Sequence, residues 1–445
     1  MANIVLVTHG TGGDVKPFIK LGRILKDLNH EVTIITHCIY QEEAEKNFLN
    51  FVALDNYEEY KERIDKLFTL SDAIKEFKKY NDFNKKYCGF SQLYKEYKII
   101  RNYCKKKNTI IIFRHRFSLA GLLAAEKEQI PAISLFLAPN YIQHLKLHEE
   151  IIGEIMKKEI NKVREKIKLK DIDNWTEWMC STKLKIALWP EWYAKEEVES
   201  IKNTIAIGFP EKRYKVKKEL PQNIKEFLNK VDKVALITAG TSNAINPEFY
   251  KVVTKACEEL CLAAILVTDF DEFVPKKLGK NTIRLRVAPI KEILPYMDVV
   301  IHHGGIGTAS EALVAGTAQL ILAHLADRPD NGNRLKNIGV AKVLPEINWQ
   351  NENIKNALEE IIYCKKLERD CKLMKDKIYE ENIENNLENI INKVLQNKEI
   401  YKVNNLSKVK DVVIEKEKVS STDRNMIEAK KRKMILEILK KKTRS

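Results

Sequence analysis

The sequence predicts an α/β protein: two doubly wound, Rossmann-like domains facing a cleft, followed by a basic helical C-terminal tail. Three observations carry this. Short apolar runs alternate with amphipathic helical patterns in two successive halves, as parallel sheets covered on both faces require. A polar, lysine-rich stretch with Pro221, residues 211–233, interrupts the alternation and marks a linker. In each half an apolar strand runs into a turn of small residues, a geometry that presents backbone N–H groups. The expected divisions are therefore 1–210, the linker 211–233, a second domain over 234–400 and a tail over 401–445.

Taken in order, residues 3–8 form the first strand and 9–14 a glycine-rich turn. An amphipathic helix over 15–28 follows, with Pro17 in its first turn. The next strand, 31–36, ends in Thr36-His37, where a dinucleotide site would carry a ribose-binding acid, so that reading of the strand–turn–helix is set aside. Residues 56–107 read as charged helices rich in aromatics, Tyr80, Tyr87 and Tyr94 among them, which either pack on the sheet or line a pocket. Strands near 110–113 and 132–136 and a helical region over 146–180 complete the first half. Strands near 234–239, 263–268, 282–286, 298–302, 319–322 and 341–344 build the second sheet.

The most informative segment begins at Val299, where an apolar strand enters His303-Gly304-Gly305-Ile306-Gly307-Thr308 and a helix is expected from near Thr308. The glycines allow the backbone to approach a ligand closely, and the helix N-terminus offers N–H groups and a positive dipole end to a phosphate. His303 adds a ring N–H donor, and Glu311, one turn in, is placed to accept from a ribose hydroxyl. Such a turn also occurs where only tight packing is needed, so its neighbours must decide.

With Ala288-Pro289 upstream and Ala326-Asp327-Arg328-Pro329-Asp330-Asn331 downstream, the segment from about 287 to 332 resembles the nucleotide-sugar signature of glycosyltransferase family 1. The resemblance implies the GT-B fold, with an N-terminal half that binds acceptors and a C-terminal half that binds a nucleotide sugar. It implies His303, Gly305, Gly307 and Thr308 at the donor diphosphate, Glu311 at the ribose and Asp327 at the sugar hydroxyls. Arg328 stands where the family has a Gln that shares this last task, and Val287 where plant members stack a Trp on uracil.

Gly12-Gly13-Asp14-Val15-Lys16-Pro17 resembles the GDVxP motif of bacterial members that glycosylate macrolides, glycopeptides, sterols and rhamnolipid precursors. That likeness makes Asp14 the candidate base for the acceptor hydroxyl, although an Asp before Val15 would equally cap the helix. His115 falls where plant members place an Asp that orients their catalytic His; it shapes the acceptor pocket or is a polar strand-end residue. Thr241, after the strand at 234–239, matches a Gly-Thr that touches the diphosphate in the family.

The implied activity is inverting transfer of a sugar from a UDP-sugar, as co-substrate, to a hydroxyl of a small-molecule or lipidic acceptor. A dTDP-sugar donor, or a non-catalytic relative acting as an activator, stays open. The sugar is activated by its leaving group, so positioning, one base and charge stabilisation suffice; neither a cofactor nor a metal is expected.

Composition agrees. At 445 residues and 44% hydrophobic, the chain can bury two cores. No apolar run approaches the roughly 18 residues of a spanning helix and no charged leader precedes the first strand, so a cytoplasmic location is expected. The eight cysteines are scattered as reduced thiols would be; Cys257 and Cys261 lie four apart, without the second pair a zinc site needs. The net charge is +15, and residues 401–445 hold 14 Lys or Arg against 6 Asp or Glu. That tail reads as a solvated or surface-docked helix, or as peripheral contact with anionic lipid. No nucleic acid is expected, because no binding module accompanies the charge.

Overall fold

A computed structural model describes residues 1–403 apart from 71–76, 214–219, 241–245 and 325–326. Thr241 and the tail from residue 404, both given roles above, lie outside the described residues.

The first sheet contains β1 (Asn3–Val7), β2 (Glu31–Thr36), β3 (Asn50–Ala53), β4 (Thr109–Arg114), β5 (Ala132–Phe136), β6 (Leu184–Ala187) and β7 (Thr204–Ala206). Its order is β3-β2-β1-β4-β5-β6-β7, parallel throughout. The second holds β8 (Val234–Thr238), β9 (Ala263–Val267), β10 (Thr282–Leu285), β11 (Val299–His302), β12 (Ala318–Ala323) and β13 (Ala341–Pro345). They lie in the order β10-β9-β8-β11-β12-β13, again all parallel.

In both sheets the chain starts mid-sheet, winds to one edge, then crosses back and winds to the other. The loops leaving β1 and β4, and those leaving β8 and β11, diverge at that reversal, and the carboxyl ends of these strands are where such sheets bind ligands. Unbroken apolar runs explain the central strands: β1, β4, β5, β8 and β9 are buried at every position, as helices on both faces demand.

Strands β3 and β7 lack a clear sequence signature because they are short, partly exposed edges. Two helices begin earlier than expected. α1 spans Gly12–Asp27, with Thr11 as N-cap, so Pro17 lies within the helix and not in its first turn. The 90–103 region is α2 (Phe90–Tyr103). After β11, α3 spans Ile306–Ala315, with Gly305 in extended conformation as N-cap, so the helix does not wait for Thr308. After β12, α4 spans Arg328–Ile338 behind Asp327.

The long helix near the end of the described residues, α5 (Ile383–Gln396), leaves the second domain. Its Ile383, Leu387, Ile390, Ile391 and Val394 pack in the same core as Val15, Phe18 and Ile19 of the first. The chain then pairs Lys402 with Pro131, and the Gln129 amide donates to the Val403 carbonyl at 3.2 Å. Residues 383–403 thus sit on the first domain, although sequence position places most of them in the second. Cys257 is buried in the core while Cys261 is exposed, so this four-residue spacing does not converge on a shared site.

Candidate active site

The first half of the site is built at the switch point of the first sheet. The turn after β1 carries Asp14, third residue of α1. One of its carboxylate oxygens accepts the Thr11 backbone N–H at 2.8 Å and the Thr11 hydroxyl at 3.2 Å. Asp14 is therefore not the N-cap that sequence allowed; Thr11 is, and Asp14 closes the capping box from the third position. The other oxygen pairs with the Arg114 guanidinium at 2.7 Å.

Arg114 ends β4, the neighbour of β1, and its own position is fixed from three sides. It donates to the His9 carbonyl at 2.8 Å and to the Tyr141 hydroxyl at 3.3 Å, and its guanidinium lies 4.1 Å from the Phe117 ring centroid. Its Nε is buried with no partner.

His115, next in sequence, is not brought to Asp14. Strand alternation turns its ring inward, where Nδ1 lies 2.9 Å from the Ser134 hydroxyl and the ring packs 4.2 Å from that of Phe136. Burial pushes its pKa down to about 3, so it is a neutral core histidine. The group beside the candidate base is thus an arginine one residue earlier, a partner that sequence did not reveal.

Behind Asp14 lies a second feature missed by sequence, a buried polar cluster. His37 pairs with Asp55 at 2.5 Å and accepts the Gly10 N–H at 2.9 Å. His9 sits between Arg63, at 3.1 Å, and Glu96 of α2, at 3.7 Å. Burial, reinforced by the Arg63 charge, lowers the His9 pKa to about 4. These contacts shape the turn that carries Asp14.

The second half is the turn from β11 to α3. His302, the last strand residue, faces the core: its Nε2 meets the Gln319 side chain at 2.9 Å and its Nδ1 accepts the Gly304 N–H at 3.2 Å. His303 points the other way, its ring against the turn that follows β8. A Cβ on Gly240 would lie 2.9 Å from that ring, so the close approach requires glycine there. His303 Nδ1 is buried without a partner. Burial, aided by the charges of Arg328 and His302, holds its pKa well below the usual range, so the ring is neutral and offers one N–H.

Gly304 takes φ +92, and a side chain there would strike the Arg328 carbonyl. Gly307, by contrast, has nothing within 4 Å of where a Cβ would stand. Protein packing therefore requires Gly304 and leaves Gly307 unconstrained. Gly305, Ile306, Gly307 and Thr308 are only partly buried, so the N-terminal N–H groups of α3 border the cleft.

Asp327 and Arg328 open α4 beside this turn. Asn331 donates to both the Asp327 carboxylate, at 2.8 Å, and the Gly304 carbonyl, at 3.1 Å, which ties the two loops together. Burial raises the Asp327 pKa and lowers that of Arg328. Tyr141, whose hydroxyl accepts from Arg114, feels carboxylates of both halves: burial raises its phenol pKa, Arg114 opposes, and Asp14 and Asp327, one from each domain, reinforce the rise. Glu311 stands one turn into α3 and reaches the first domain through Lys20, whose ammonium lies 3.1 Å from Glu311 Oε1.

Arg334 fastens the domains by pairing with Glu197 at 2.6 Å, and the Tyr193 hydroxyl meets Asn331 at 3.4 Å. Among the described residues there is no group of three or more His, Cys, Asp or Glu placed to hold a metal ion, and no helix long and apolar enough to cross a membrane.

Comparison with known proteins agrees with both halves. Residues 4–145 match the glycosyltransferase family 28 N-terminal domain, and residues 264–387 match the erythromycin biosynthesis protein CIII-like C-terminal domain. The chain is 23% identical over 467 aligned residues to a sterol 3-beta-glucosyltransferase of Saccharomyces cerevisiae, covering 94% of this chain and 37% of that one. It is 29% identical over 127 residues to the aklavinone 7-beta-L-rhodosaminyltransferase of Streptomyces galilaeus, covering 28% of this chain and 29% of that one. The chain spans about a third of the length of the sterol enzymes it matches.

Among solved structures, the kitacinnamycin glycosyltransferase superposes with a TM-score of 0.71 at 16% identity, covering 88% of this chain and 98% of that one. The glycosyltransferase VinC in complex with dTDP gives 0.65 at 15% identity, covering 88% and 99%. With a family 28 N-terminal domain, an erythromycin CIII-like C-terminal domain and two parallel Rossmann-like sheets on one chain, the protein belongs to the GT-B glycosyltransferases.

Proposed function

We propose that the chain is an inverting glycosyltransferase that moves a sugar from a nucleoside diphosphate, most simply UDP, to a hydroxyl of a small or lipidic acceptor. The observation that carries this reading is the pairing of Asp14 and Arg114 at one switch point, together with the neutral His303 and the α3 N-terminus at the other. In the proposed step, the acceptor oxygen attacks the anomeric carbon from the face opposite the diphosphate. The new C–O bond forms as the bond to the diphosphate breaks, and Asp14 receives the acceptor proton. The leaving diphosphate takes the bonding electrons, and the N–H groups around Gly305, Gly307 and Thr308, with His303, receive its charge.

Glu311 holds the ribose in this reading, and Asp327 and Arg328 take the sugar hydroxyls. The unpartnered Nδ1 of His303 and the unconstrained Gly307 support a ligand rather than packing alone. Thr241 is assigned to the diphosphate by its place after β8. The sterol glucosyltransferase and rhodosaminyltransferase likenesses support a hydroxyl-bearing organic acceptor. The basic tail is assigned to peripheral contact with anionic membrane, and the site to the cytoplasmic side.

A dTDP-sugar is the second donor reading. One observation favours it: the structural neighbour VinC is a complex with dTDP, while Val287, at the uracil-stacking position and 84% exposed, does not select between uracil and thymine. Thermal unfolding with a panel of UDP- and dTDP-sugars tests both, because a ligand that binds only the folded state must raise its stability. Protection by at least one, of about 2.7 kcal/mol at a hundredfold excess over Kd, is expected. No protection by any of them would leave a non-catalytic relative as the better reading.

A further inference from the structure

The helix that carries the candidate base also reaches the donor half of the cleft. Lys20 lies six residues after Asp14 on α1, and its ammonium donates to two carboxylates at once: Glu311 Oε1 at 3.1 Å and Glu211 Oε1 at 3.2 Å. All three groups are shielded, with side-chain exposures of 28% for Lys20, 21% for Glu311 and 3% for Glu211. Burial alone would favour loss of the lysine proton, but the two carboxylates outweigh it and raise the pKa, so the bridge is ionic. The Lys291 amine stands close enough that the Lys20 charge, after burial, lowers its pKa.

Only Oε1 of Glu311 is engaged among the described residues. Among the described residues nothing donates to Oε2, which keeps its lone pairs for a ligand. A free glutamate on a helix samples several rotamers, and binding would cost the entropy of choosing one; a partner that holds the side chain beforehand removes that cost.

We propose that Lys20 is a positioning residue of the donor site: it holds Glu311 ready for the ribose hydroxyls of a nucleoside diphosphate and, being a residue of the first domain itself held by Glu211, makes donor affinity depend on both domains being in contact. The proposal rests on the glycosyltransferase reading above and adds a residue of the acceptor-side domain to the donor site. Sequence conceals it, since Lys20 reads as one more charge on an amphipathic helix.

Calorimetric titration of the full chain with UDP tests it. Lys20→Met should raise the Kd roughly tenfold, equal to about 1.4 kcal/mol, Glu311→Ala by a similar factor, and the double variant by little more than either, because both remove one interaction. Lys20→Arg, which can still reach a carboxylate, should restore most of the affinity.

Since Lys20→Met leaves Glu211 buried and unpaired, the same comparison in a Glu211→Gln background separates misfolding from lost positioning. Losses that add in full, or wild-type affinity in Lys20→Met, overturn the proposal while the glycosyltransferase reading stands. Failure of the wild-type chain to bind either UDP or dTDP would remove that reading and this proposal together.

Discussion

Asp14 does two jobs with two oxygens. One accepts the Thr11 N–H and hydroxyl and so fixes the start of α1; the other faces Arg114. Asn can keep the first contact through its amide oxygen but cannot accept a proton from an acceptor hydroxyl. Asp14→Asn should therefore keep the start of α1 but melt lower than the wild type, because its amide NH2 then faces the Arg114 guanidinium, while transfer falls by roughly 10²–10⁴-fold, far more than the loss of stability explains. Normal turnover in that variant would make the carboxylate purely structural. The motif around Asp14 was legible because GDVxP is contiguous. Arg114 was not, because its importance arises from β4 pairing beside β1, 100 residues on in the chain, and nothing local marks it. His115, chosen by counting, is instead the residue that strand alternation sends into the core.

The turn between β11 and α3 shows what glycine identity does and does not reveal. Gly304, at φ +92, would be glycine in any protein with this turn, whereas a Cβ on Gly307 would meet nothing within 4 Å, which leaves a ligand as the reason for glycine there. Gly307→Ala should accordingly leave the unfolding midpoint unchanged or slightly raised, since alanine favours the helix by up to about 1 kcal/mol. It should weaken binding of a nucleoside diphosphate measured by calorimetry. A drop in stability with intact nucleotide affinity would show that Gly307 serves packing after all. The adjacent His302 and His303 illustrate the same limit. Their order alone does not say which faces the cleft; the period-two geometry of β11 settles it by giving Gln319 to His302.

On the scale of the whole molecule, several histidines are buried in a neutral state. Burial lowers the pKa of His9 and of His302 to about 4 and that of His115 to about 3, from an ordinary value near 6.5. Below pH 6.5 the unfolded chain takes up protons at these positions that the folded chain refuses. Stability should therefore fall as pH drops from about 6.5 toward 4, by up to about 1.4 kcal/mol per pH unit for each histidine. Urea midpoints measured at pH 7.5, 5.5 and 4.5 check this; equal midpoints would contradict it.

Two doubly wound halves were legible from alternation of apolar and amphipathic runs. The return of the chain was not, because α5 reads as one more amphipathic helix, and no sequence pattern names the surface that its apolar face will cover. That return has a consequence for modular exchange. The second half is enclosed between two covalent connections, one within 211–233 and one just before Ile383, so it is topologically an insertion in the first. A chimera made with a single crossover would carry a foreign α5 onto a core that includes Phe18 and Ile19. Exchanging the second half between relatives therefore calls for two junctions, with residues 383–403 kept from the parent that supplies the first half.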